Sequence, residues 1–190
     1  MITFPDKLAL EVWLTRNGID ISAWGAGNSK TLTELWNELI SGEIILHEYP
    51  PLRIVNVVQV IIRKNGCVLV ETEQVLRNGR KRKRNQPPAE KFKPGETYQE
   101  AAVRCIEEEI GINRHLITIY PETHRQVKTY SHSFSYPGLP SLYNVNIVEA
   151  EVEDLPVADF WRDNRSYTTG DPVERHRWGW REESILAEEF

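Results

Sequence analysis

Cysteine is scarce in this chain. Its 190 residues include two, Cys67 and Cys105, far apart and without metal-type spacing. That excludes a disulfide framework and a zinc ribbon and points to a reducing compartment, the cytoplasm by default. Long apolar runs are also missing. The longest, Ile54 to Ile62, is broken by Asn56 and Gln59, far short of the ~18 residues of a membrane span. The N-terminus carries Asp6 and Lys7 and no apolar signal core, so nothing there reads as an export signal. No internal repeat is visible. What remains is the composition of an ordinary soluble globular chain, 40% apolar and 27% charged, which argues against wholesale disorder.

Charge is unevenly spread. The net value is −5, yet the stretch Arg77 to Arg84 (RNGRKRKR) holds six bases and no acid. An acidic body with one basic segment does not suit a general nucleic-acid binder. It suits a protein that handles a compact polyanion at one place. Two readings of the run stay open. Like charges could keep it a solvated, extended loop, or Arg80, Arg82 and Arg84 could grip phosphates bidentately. Single-stranded nucleic acid is a distant third, because the run lacks an aromatic platform.

The first 40 residues predict two helices. Leu8, Leu10, Val12, Trp13 and Leu14 cluster on the first. On the second, Thr31 and Glu34 have the spacing of a capping box, and Leu32, Leu35, Trp36, Leu39 and Ile40 share one face. From Glu43 the chain turns β-branched, with strands expected over Ile44–His47, Leu52–Arg63 and Cys67–Leu76. Asn65-Gly66 marks a tight hairpin, since both residues tolerate positive φ. Pro87-Pro88 cannot continue a central strand. Thr97 and Glu100 predict a second capping box, on a helix stopped by Gly111. Further strands are expected over Ile117–Tyr136 and Ser141–Glu153. A tail with Trp161, Trp178 and Trp180 is expected to pack as a strand or short helix over the sheet. This order predicts an α+β, mixed α/β/α sandwich with a mixed sheet. A two-helix extension over residues 1–45 would precede a main domain over 46–190.

The chemistry-bearing stretch is Pro87 to Ile112, PPAEKFKPGETYQEAAVRCIEEEIGI. On its helix Arg104 and Glu108 stand at i,i+4. Glu107, Glu108 and Glu109 point about 100° apart, and the last two share a flank with position 105. Hard carboxylate oxygens so placed suit Mg²⁺ or Mn²⁺, which would in turn hold phosphate oxygens. The competing reading is a solvated acidic helix with ordinary ion pairs.

The whole window resembles the Nudix box, G-x5-E-x7-R-E-U-x-E-E-x-G-U with U aliphatic. Glu96, Arg104, Ile106, Glu108, Glu109, Gly111 and Ile112 match in register, and Pro94-Gly95 precedes Glu96. The resemblance implies a Nudix-type fold over roughly residues 51–153. It also implies divalent-metal hydrolysis of a diphosphate linkage in a nucleoside-diphosphate-like compound. Glu108 and Glu109 would be metal ligands, Arg104 their orienter and Glu96 a supporting acid. A small nucleotide or diphosphate is then the expected ligand, and the N-terminal helices could engage a protein partner.

Two positions depart from the pattern. Glu90 stands where the box opens with glycine, and Cys105 where the family has the glutamate beside the arginine. A thiol cannot replace a charged oxygen donor for Mg²⁺, and Cys105 instead extends the stripe of Tyr98, Ala101 and Ala102 as a small hydrophobe. An outside acid would have to complete the shell, with Glu122, Glu149, Glu151 and Glu153 as candidates. His124, His132 and His176 lack metal-ligand spacing and read as surface or core histidines. A second function therefore stays open beside hydrolysis: a catalytically impaired Nudix-fold protein that senses a nucleotide or serves as an interaction module.

Overall fold

The computed structural model describes residues 2–27, 29–164 and 173–183. The expected 46–190 domain thus includes two stretches, 165–172 and 184–190, outside the described residues. Among the described residues three α-helices form: α1 (Lys7–Arg16), α2 (Leu32–Ile40) and α3 (Tyr98–Glu109). Nine strands among the described residues accompany them: β1 (Ile44–His47), β2 (Leu52–Lys64), β3 (Cys67–Leu76), β4 (Lys81–Gln86), β5 (Ala89–Lys91), β6 (Ile117–His132), β7 (Pro140–Val152), β8 (Phe160–Asp163) and β9 (Val173–Glu182). None of the described helices is long and apolar enough to cross a membrane.

The local signals act as their chemistry dictates. Thr31 with Glu34 and Thr97 with Glu100 both form complete capping boxes. Asp6 caps α1 by accepting the Ala9 N–H at 2.8 Å. Asn65 and Gly66 have φ of 52° and 77°, so the β2–β3 hairpin closes with Arg63 opposite Val68 and Lys64 opposite Cys67. The sheet runs β6-β7-β2-β3-β9-β8, with β1 and β5 on β2 and β4 on β3.

The chain divides into two compact units. The first comprises Met1–Val57, Lys91–Glu96 and Gln126–Val145. Its core gathers Leu10, Leu14, Leu35, Leu46, Val55 and Tyr136. At its polar centre, buried Glu38 meets Arg53 at 2.8 Å and Lys91 at 2.8 Å. The second comprises Val58–Glu90, Thr97–Arg125 and Asn146–Phe190. Its buried side chains include Val60, Ile62, Leu69, Cys105, Ile106 and Trp178.

Two segments differ from expectation. The basic run is not an extended loop, because Lys81–Gln86 pairs antiparallel with β3. Its inward side chains meet polar partners rather than apolar ones, which is why no hydrophobic alternation announced it. The Trp-rich tail does form strands, but within the sheet rather than over it. β9 sits inside it between β3 and β8, paired with β3 from Cys67–Glu182 to Leu76–Val173.

Candidate functional site

The second unit brings α3, β3, β4 and β9 together around a polar cluster. α3 buries Ala101, Ala102, Cys105 and Ile106, a stripe at helical spacing that orients the acids behind it. The three consecutive glutamates then take separate partners. Glu107 accepts from Arg114 at 2.9 Å, and this hydrogen bond lowers its pKa. Glu108 pairs with Arg104 at 3.0 Å across one turn. Glu109, at i,i+4 from Cys105, reaches to 3.6 Å from Nδ1 of His176 on β9.

His176 Nδ1 also lies 2.5 Å from Oε1 of Glu71 on β3. Both residues are about 5% exposed. Glu71 Oε2 is 3.1 Å from Nε of Arg84 on β4. This last contact is an ion pair without hydrogen-bond alignment. The His176 ring stacks on Trp178 at 6.3 Å between centroids. A register shift between Glu71 and Glu73, present against both β4 and β9, makes the cluster possible. In a regular strand residues 71 and 74 would face opposite sides. The bulge re-aims one of them, so Glu71 and Gln74 are both buried, and Arg82 donates through Nε to Oε1 of Gln74 at 2.7 Å.

Cys105 is fully buried. Burial, and next the negative charges of Glu109 and Glu90, push its thiol well above the ordinary range, with Arg104 opposing. It is therefore a neutral thiol at physiological pH, neither a nucleophile nor a hard ligand. Glu90, at the position of the box glycine, is half-buried on β5.

The remaining expected positions are used locally. Glu96 belongs to the first unit, where its carboxylate accepts the Lys93 N–H at 2.8 Å. Arg80 is exposed in the turn before β4, its N–H bonded to Oδ1 of Asn78 at 3.0 Å. Among the acids considered for completing a metal shell, Glu149 pairs with Arg63 at 3.3 Å and Glu151 accepts from Tyr120 at 2.5 Å. Glu122 and Glu153 are exposed. His124 stacks on Tyr98 at 3.8 Å and contacts Asn146. His176, read from sequence as a surface or core histidine, is buried, and Glu71 is the member of the cluster that sequence spacing missed. The one available signal was an acid at position 71 directly after the apolar run Val68-Leu69-Val70.

The donor chemistry decides whether a divalent ion suits this arrangement. One expected carboxylate position is a buried neutral thiol, Glu108 is ion-paired to Arg104, and Glu71 is engaged by His176 and Arg84. Among the described residues no group of three or more His, Cys, Asp or Glu is arranged to hold a metal ion. Cys105 thus leaves the metal centre that the box implies short of one charged oxygen donor.

The NUDIX domain matches residues 52–175. This chain belongs to that family, and its α+β architecture with added N-terminal helices agrees with the fold expected from the box. Among solved structures it is similar to an Ap4A hydrolase of C. elegans in a binary complex, at 18% identity over 70% of this chain and 83% of that one, with a TM-score of 0.41. It is also similar to a NUDIX hydrolase from Nitrosomonas europaea, at 18% identity over 70% and 76% with a TM-score of 0.43. A third is a NUDIX-family hydrolase from Clostridium perfringens, at 15% identity over 71% and 85% with a TM-score of 0.39. A comparison with curated proteins finds no match.

Proposed function

We propose that the chain takes a nucleoside-diphosphate-like small molecule beside the Nudix helix, and that Cys105 leaves hydrolysis of its diphosphate linkage slow or absent. Residues 1–45 are, on this reading, an addition to a Nudix domain.

One observation carries the proposal. The box position that should supply a charged oxygen beside Arg104 holds a fully buried thiol, kept neutral by burial and by its acidic neighbours. A metal-assisted reaction needs a Lewis acid to stabilise charge that develops on the diphosphate, and this donor set does not provide its seat. Binding makes smaller demands than turnover. A helix, a basic strand and fixed polar side chains can recognise a phosphate ligand without cleaving it.

A second reading is metal-dependent hydrolysis with Mg²⁺ or Mn²⁺ at Glu108 and Glu109, assisted by Arg104 and Glu96. The register of those four residues with the box favours it.

Thermal shift with a panel of nucleoside diphosphates and their conjugates, followed by chromatography of the ligand, separates the two. The expected result is a raised Tm, as preferential binding to the native state requires, with the ligand recovered intact. Rapid Mg²⁺- or Mn²⁺-dependent conversion, abolished by Glu108→Gln or Glu109→Gln, would establish the second reading instead.

A further inference from the structure

The first unit carries an open sheet edge. β6 ends the strand order and, among the described residues, is paired only with β7. Every residue of it from 126 to 132 is exposed. Among the described residues, positions 127–132 make no hydrogen bond or ion pair beyond that ladder. Such an edge offers a row of backbone N–H and C=O groups to another strand.

A cavity of about 510 Å³ adjoins this edge, lined by His47, Pro50, Leu52, Ile54, Tyr130 and Pro140. All six belong to the same unit. The walls are mainly apolar, which suits a bulky apolar side chain. Tyr130 stands at the rim, 73% exposed. Lys128 and His132, two residues to either side of it, share its face of the strand.

We propose that β6 takes an extended acidic peptide of a protein partner as an added strand, with one bulky apolar side chain of that peptide seated in the cavity. Main-chain pairing supplies the affinity and the cavity supplies the selection. Charge sets the sign of the partner. Between Glu122 and Glu149 the sequence has no acid, although the chain holds 28. Glu48 is the one acid within the segments that line the cavity. The Lys128 ammonium has no counter-charge among the described residues, so it turns away a basic strand and attracts an acidic one. A second copy of this chain fits less well, because antiparallel pairing centred on Tyr130 would set Lys128 opposite His132 twice. The proposal stands independently of the nucleotide reading.

Fluorescence anisotropy on the full chain tests it with a labelled peptide, Thr-Glu-Val-Phe-Val-Glu-Thr. Paired antiparallel with Phe opposite Tyr130, this peptide sets its two Glu residues opposite Lys128 and His132. Saturable binding is expected below about 1 mM. Exchanging both Glu for Lys, or Phe for Ala, should weaken it roughly tenfold, and so should Tyr130→Ala or Lys128→Glu at exposed positions of the chain. N-methylation of alternate peptide residues should abolish binding in one frame and spare it in the other, since only one edge of the peptide faces β6. No saturable binding up to about 1 mM, equal binding of the Lys peptide, or binding that neither methylated frame disturbs overturns the proposal. So does a dimer in sedimentation velocity that Tyr130→Ala disperses, because the edge would then belong to a second copy.

Discussion

Losing the Glu38 carboxylate should cost this fold several kcal/mol, on the order of a broken buried ion pair. Glu38 is 6% exposed, and Lys30, Arg53 and Lys91 approach its oxygens at 2.7, 2.8 and 2.8 Å. Arg53 is itself 3% exposed and lies 5.0 Å from the Tyr136 ring centroid, with Nη1 donating to the Tyr143 hydroxyl at 3.2 Å. Burial alone would raise the Glu38 pKa, but the three cations outweigh it and pull it from 4.5 to about 2. That difference corresponds to about 3 kcal/mol of stability, present above pH 4.5 and lost as the pH falls towards 2. Lys30 is 40% exposed, so solvent screens its share, and Arg53 contributes the least-screened part. Glu38→Gln leaves the buried guanidinium without its counter-charge, which typically costs about 3–5 kcal/mol. For a chain of this size that lowers the Tm by about 10 °C. Circular dichroism melts at pH 7 and at steps from pH 5 to 2 measure both effects. Wild type should lose stability through the acid window, and the variant should start lower and depend less on pH there. A Glu38→Gln protein melting within about 2 °C of wild type at pH 7, with an unchanged acid slope, would contradict this role for Glu38.

Other consequences are more local. Thr97→Ala removes the hydroxyl that accepts the Glu100 N–H in the α3 capping box, leaving the reciprocal bond from its own N–H to the Glu100 carboxylate, and should cost about 1 kcal/mol, read as a Tm lower by about 2–4 °C. A thiol reagent at neutral pH should modify Cys67, which is half-buried, and leave Cys105 untouched until the chain unfolds. Two modified thiols per native chain, counted by mass spectrometry, would contradict the buried environment of Cys105. Gly66→Val imposes a β-branched residue at φ 77° and should destabilise the β2–β3 hairpin by about 1 kcal/mol or more, again read by melting.

Much of the scaffold was legible because its signals are short-range. Thr97-x-x-Glu100 fixes where α3 begins, and Asn65-Gly66 fixes the hairpin register. Both depend on chemistry within four residues. The segments that were misread depend on distant partners. Lys81–Gln86 has no apolar alternation, because residues 82 and 84 meet the polar side chains of Gln74 and Glu71. The place of β9 within the sheet requires pairing about a hundred residues back, which spacing along the tail does not reveal. The polar cluster was hidden for the same reason. Glu71 and His176 are 105 residues apart, and the bulge that turns Glu71 and Gln74 to one side breaks the two-residue period by which a strand face is read.

Position 105 is where the Nudix helix departs from a metal-binding donor set. The most direct measurement is Mn²⁺-dependent turnover of a bound nucleoside-diphosphate conjugate by wild type and by a Glu90→Gly/Cys105→Glu double variant, with circular dichroism to verify folding and Cys105→Asp as a shorter alternative. Restoring the charged oxygen and the glycine should raise turnover roughly 100-fold over a wild type near background, the scale on which losing one metal-orienting group costs activity. Wild type turning over as fast as a folded double variant would contradict the claim that the Cys105 thiol is what silences this site.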